Sequence, residues 1–149
     1  MGHVKAKINI INTYDQICAE KGLITSDKIR QIEIEGLVDT GATNICLPIS
    51  VIEQLGLRKA GEKEIRTANG KVIRRLFQDA WITILNRFCT QLVVELPDDC
   101  PPLIGVTILE ELDLVPNPAK ETLEYNPEHG DKWTGYAYTG YDPSSLIMT

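Results

Sequence analysis

The chain has 149 residues, enough for one domain with a sizeable core. A formal net charge of −6 and a pI of about 4.9 give no electrostatic footprint for nucleic acid, and no apolar run approaches the length that crosses a bilayer. The four cysteines (Cys18, Cys46, Cys89, Cys100) lack CxxC spacing and a matching histidine pair, which argues against zinc and for reduced, mostly buried thiols.

In chain order, Met1-Gly2-His3 carries neither a signal-peptide core nor a myristoylation pattern, so a cytoplasmic location without membrane contact is expected. From Val4 to Ile11 apolar residues alternate with polar ones, and Ile32 and Ile34 repeat that period of two; both are strand signatures. Leu37-Val38 then runs into Asp39-Thr40-Gly41-Ala42-Thr43. Pro48 to Leu55 predicts a short helix, with Ile49, Ile52 and Leu55 on one face and Gly56 as its stop. Ala68-Asn69-Gly70-Lys71 predicts a hairpin tip, with Asn-Gly supplying the two positive φ angles of a type I′ turn. Arg74-Arg75 reads as a solvated strand end. Trp81 to Leu85 is apolar on both faces apart from Thr83, as in a buried strand, and Leu92, Val94 and Leu96 share a face of another.

Leu103-Ile104-Gly105 repeats the pattern of two apolar residues running into a glycine. A helix over Val106 to Leu112 and a strand over Thr122 to Tyr125 follow. After Asn126 glycine, proline and aromatics interleave, which predicts an irregular extension over 127–149 behind a domain over 1–126. Its aromatics are expected to pack on their own sheet or on a partner. His3 and His129 are expected at the surface. The class is mostly β with two short helices.

The chemistry concentrates at Asp39. The segment puts a carboxylate on a tight loop at a strand end. Gly41 has no Cβ, so another backbone can approach closely. Thr40 supplies a hydroxyl that donates and accepts, and Ala42 keeps the space beside the carboxylate open. Asp-Thr-Gly is also ordinary turn chemistry, so the triplet alone is weak. The ordered set of pieces around it is much stronger.

That set resembles the retropepsin-like aspartic peptidases, the family of retroviral proteases and their bacterial relatives. The pieces are the strand Val4 to Ile11, the loop Leu37 to Ala42, the hairpin tipped by Asn69-Gly70, Leu103 to Gly105, the helix Val106 to Leu112 and the strand Thr122 to Tyr125. The resemblance implies a retropepsin-like acid-protease β-barrel with one or two short helices, working as a homodimer. It implies Asp39 as catalytic residue, with Thr40, Gly41, Ala42 and Thr43 as its supporting loop. Ala68, Asn69 and Gly70 would form a flap over substrate, and Leu103, Ile104 and Gly105 would wall the site. Retroviral members often carry an acid after the Ala and an Arg after the second Gly. Here Thr43 and Val106 stand there together, which looks more like the bacterial branch.

Aspartic peptidase chemistry needs two carboxyl groups sharing one proton, one acting as general base on water and the other as general acid on the scissile carbonyl. No metal or other cofactor is required. With one Asp-Thr-Gly per chain, the second carboxylate is expected from a second copy across a twofold axis. Ala42 offers no hydroxyl to the carboxylate, so activity is expected to persist toward near-neutral pH. The expected partners are a peptide or protein substrate and a second copy of the chain. One rival is a non-catalytic module that binds an extended peptide in the same groove. Another, a phosphate loop of actin-like kinases, needs two large domains that this length cannot supply. A nucleophilic triad has no Ser or Cys in a suitable context.

Overall fold

The computed structural model describes residues 3–137. Tyr138, Gly140, Tyr141 and Pro143, part of the predicted extension, lie outside the described residues. Nine strands and three helices follow one another: β1 (Lys5–Asn12), α1 (Thr13–Glu20), β2 (Gln31–Val38), β3 (Cys46–Pro48), α2 (Ile49–Leu55), β4 (Arg58–Thr67), β5 (Gly70–Ile84), β6 (Arg87–Leu96), β7 (Leu103–Ile104), α3 (Val106–Leu112), β8 (Leu114–Asn117) and β9 (Thr122–Tyr125). The fold is mostly β, as the alternation predicts.

The main sheet runs β1-β2-β7-β3-β6-β5-β4, and a further β1–β5 pairing closes six of these strands into a barrel. Closure removes the free edges that an open sheet would expose. Strand β5 serves two structures. Its far half, Ala80 to Thr83, pairs with β1 inside the barrel. Its near half pairs with β4 as a long hairpin that ends outside it. A register shift between Phe77 and Ala80 separates the two halves, as a bulge lets one strand bend from one partner to another. Ile8, Ile10, Ile45, Leu47, Ile82, Ile84, Val93, Ile104, Ile108 and Leu112 are essentially sealed from water inside. Each such side chain stabilises the fold by about 2–3 kcal/mol relative to exposure.

Several expectations need correction. Helix α1 was not predicted. Asn12 caps it by accepting the Asp15 amide, yet only Asp15 and Cys18 are buried along it, while Tyr14 and Ile17 face solvent. Its apolar residues therefore do not mark its buried face. The hairpin forms where Asn69-Gly70 predicts, but its two tip residues are Ala68 and Asn69, because Thr67 pairs with Gly70. Only Gly70 has positive φ there; the Thr67 hydroxyl donates to the Gly70 carbonyl and accepts the Asn69 amide. Two consecutive positive φ angles occur instead at Leu85 and Asn86, between β5 and β6. Arg74-Arg75 lies in mid-strand, with Arg75 ion-paired to Glu95. Leu92 is exposed, and Val93 takes the core position. Trp81 does not face the core either. It stacks on Phe88, and Trp133 closes edge-on over Phe88 from the chain after Asn126.

His129 is not a free surface residue. Its Nδ1 lies 2.7 Å from the Asp113 carboxylate and its Nε2 2.9 Å from the Tyr136 hydroxyl. Buried Arg87 binds the α3 C-terminus, donating to the Leu112 and Asp113 carbonyls at 2.9 and 3.0 Å while stacking on Tyr125. A cation there complements the negative end of the helix.

Candidate active site

Two strands that share one motif build the site. Leu37 pairs with Leu103 and Val38 with Ile104 in parallel, so the two apolar pairs lie side by side. The Leu37 amide donates to the Pro102 carbonyl and the Asp39 amide to the Ile104 carbonyl, at 2.9 and 3.0 Å. The ladder thus delivers Asp39 and Gly105 to neighbouring positions at the strand ends. Beyond Asp39 the chain turns at once, with the Ala42 amide donating to the Asp39 carbonyl at 3.0 Å. The Gly41 amide donates to Asp39 Oδ1 at 2.9 Å. Among the described residues that is the carboxylate's one hydrogen bond, and the side chain stays half-exposed.

The second loop braces the first. The Val106 amide donates to the Ala42 carbonyl, and Thr107 donates to the Thr43 carbonyl through both its amide and its hydroxyl. Gln91 donates to the Thr107 hydroxyl at 2.7 Å and accepts the Ile45 amide at 3.1 Å, spanning both ends of this brace. Gly105 makes the contact possible. A Cβ there would meet the Asn44 carbonyl oxygen at 2.4 Å and the Thr43 carbonyl at 2.7 Å. Here glycine is required by close backbone approach.

A groove of about 780 Å³ opens beside Asp39, between the loop and the β4–β5 hairpin. Of the residues singled out in the sequence, Asp39, Gly41, Ala42, Thr43, Ala68 and Leu103 line it. Asn69 and Gly70 form the exposed hairpin end beyond it. Ile104 is sealed in the core, and Gly105 lies under the Thr43–Asn44 backbone. Thr40 is exposed on the other side of the loop, at the edge of a second depression with Leu109, Val115, Pro116 and Tyr136. The groove also holds residues that sequence reasoning missed: Asn44, Cys46, Lys63, Arg74, Val94 and Leu96. No spacing in the chain signals them, because only the hairpin's crossing over the loop brings them together. Gln91 and Thr107 were missed for the same reason.

The groove's thiol, Cys46, is buried. Burial pushes Cys46 up to about 11, the Asp39 charge adds to the rise, and Lys63 opposes it. A thiol held neutral is a poor nucleophile, whereas the Asp39 carboxylate is open to the groove. Among the described residues no three His, Cys, Asp or Glu side chains gather as a metal site would need.

The family described as "gag-polyprotein putative aspartyl protease" matches residues 27–111, more than half of the chain. The chain therefore belongs to this family of retropepsin-like aspartic proteases. The matched segment holds both strand-end motifs, the hairpin and all but the last residue of α3. Among solved structures, the solution structure of simian foamy virus (mac) protease is similar at 18% identity, with a TM-score of 0.44, covering 70% of this chain and 90% of that one. No curated protein matches the chain.

Proposed function

We propose that the protein is an aspartic endopeptidase that works as a homodimer, with Asp39 and its symmetry mate sharing one proton. The observation that carries this is the state of Asp39. It is a half-exposed carboxylate at the head of a groove sized for an extended peptide, with a single backbone amide as partner. One carboxylate cannot be both general base and general acid in the same step, so a second must come from another copy. In that pair the ionised member takes a proton from a bound water, and the water oxygen attacks the scissile carbonyl carbon. The protonated member stabilises the carbonyl oxygen.

The exposure of Thr40 on the far side of the loop suits it to a contact across the twofold axis. The β4–β5 hairpin would close over substrate through Ala68, Asn69 and Gly70. Thr43 and Val106, standing together where retroviral members carry an acid and an Arg, support placement near the bacterial branch, with a cytoplasmic enzyme in view. Residues 1–126 would form the peptidase domain and 127–149 its extension.

The test is cleavage of a peptide library by the wild type and by Asp39→Asn, with the oligomeric state followed by analytical ultracentrifugation. Cleavage that survives Asp39→Asn, or that persists in a strictly monomeric protein, would refute the proposal.

A further inference from the structure

Resting on the peptidase reading above, we infer that the substrate is a peptide with an acidic side chain flanking the scissile bond, held by Lys63 and Arg74. The register of the hairpin sorts its charges by face. Side chains alternate along a strand, and directly paired residues share a face. Lys63 pairs with Arg74 and Ile65 with Val72, so these four share one face, and Lys63, Ile65 and Arg74 of them line the groove. By register Glu62, Glu64, Arg66 and Arg75 take the other face, with Glu64 and Arg66 reaching round to the groove lining, and there each acid has a neighbouring cation. Glu62 lies 3.5 Å from Lys59, Glu64 lies 3.8 Å from Arg66 at the groove rim, and Glu95 holds Arg75.

On the groove face nothing comparable occurs among the described residues. Lys63 Nζ donates to the neutral Asn44 side-chain oxygen at 3.0 Å, leaving two N–H donors free. Half-buried Arg74 has no acid partner. Like charges directly opposite each other destabilise a strand pair. Yet this chain, with 21 acids and 15 bases, sets two cations opposite each other in its groove. A carboxylate between them would turn that repulsion into attraction. Around the pair the wall is apolar, through Ile65, Val94, Leu96 and Leu103. The groove thus fits an extended peptide with apolar side chains and one acid. Asp39, the groove's own unpaired carboxylate, disfavours that acid at the cleaved bond and moves it to a flanking position.

The experiment compares peptides that differ only by Glu or Gln at each flanking position. At one or two positions the wild type should cleave the Glu peptide with kcat/KM about fivefold higher, the order expected of an exposed charge pair. The ratio should fall toward unity at about 1 M salt. Lys63→Gln should shrink the preference, and Lys63→Glu with Arg74→Glu should reverse it toward a Lys peptide. Lys120→Glu, at the exposed β8–β9 turn, shifts net charge without touching the groove and should leave the preference intact. The same peptides are titrated onto Asp39→Asn by fluorescence anisotropy. A Glu-over-Gln order in binding supports the inference even where the wild type cleaves nothing, an outcome that defeats the peptidase reading alone. Equal cleavage and binding of Glu and Gln peptides at every position would overturn it.

Discussion

Asp39 and Asp113 each close an element of regular structure, and they are treated in opposite ways. Asp39 ends the ladder of β2 with one amide on its carboxylate and solvent beside it. Asp113 ends α3 in the left-handed conformation, with φ of 54°, and its carboxylate is saturated. Asn126 donates to one oxygen at 3.1 Å, while the Thr134 amide and His129 reach the other at 3.2 and 2.7 Å. Burial pushes the Asp113 carboxyl up, but the hydrogen bonds of His129, Asn126 and Thr134 outweigh it and hold the carboxyl below its ordinary value. The difference separates two uses of one side chain. A carboxylate whose lone pairs are filled by the protein is a clasp; here it ties residues 126–134 to the end of α3. A carboxylate left under-partnered at a groove keeps its lone pairs for something else.

The largest effect should come from breaking the reactive side of this contrast. Asp39→Asn should lower cleavage by about 10³-fold or more, as loss of a general base does. Urea unfolding should show almost no change in stability, because Asn keeps an oxygen to accept the Gly41 amide, the side chain's one bond. The next breaks the α3 terminus on which Asp113 sits. Arg87→Ala should cost about 3 kcal/mol in urea unfolding, since it removes two charge-assisted hydrogen bonds to carbonyls that remain buried.

Gly105→Ala tests the brace beneath the Asp39 loop. Its Cβ would collide with backbone, so about 2 kcal/mol of destabilisation is expected together with reduced cleavage. Asp113→Asn sharpens the clasp side through pH. The folded carboxyl lies below its ordinary value of 3.8, so its contribution is present above that pH and is lost as pH falls through the lowered folded value. The wild-type melting temperature should drop below about pH 4, and the variant's should drop less. Trp133→Ala should be the mildest, at about 1 kcal/mol, because one edge-on aromatic contact to Phe88 is lost from a partly exposed site.

Much of the barrel was legible along the chain, because a strand with one buried face writes its burial as a period of two. Ile8 and Ile10 are examples, as are Leu103-Ile104 and the helix behind them. Helix α1 was not legible, since its apolar Tyr14 and Ile17 face solvent while charged Asp15 is buried, although Asn12 followed by Asp15 was an available capping signal. The tip of the hairpin was legible but its turn type was not. Thr67 stabilises a tip at Ala68-Asn69 with its own hydroxyl, and a propensity for Asn-Gly does not weigh that bond. His129 and Arg75 looked like solvated charges because their partners, Asp113 and Glu95, are 16 and 20 residues away in sequence.

By itself the amino-acid order determined the Asp-Thr-Gly motif, its partner segment Leu103-Ile104-Gly105 and the sequence of strands between them, because each of these is a local pattern of residue types. Only the tertiary structure decided which residues share the groove with Asp39. Lys63 and Arg74 are brought there by a hairpin folding over the loop, and Gln91 and Thr107 are brought beneath the loop by barrel closure; contacts across such distances leave no local trace in the chain.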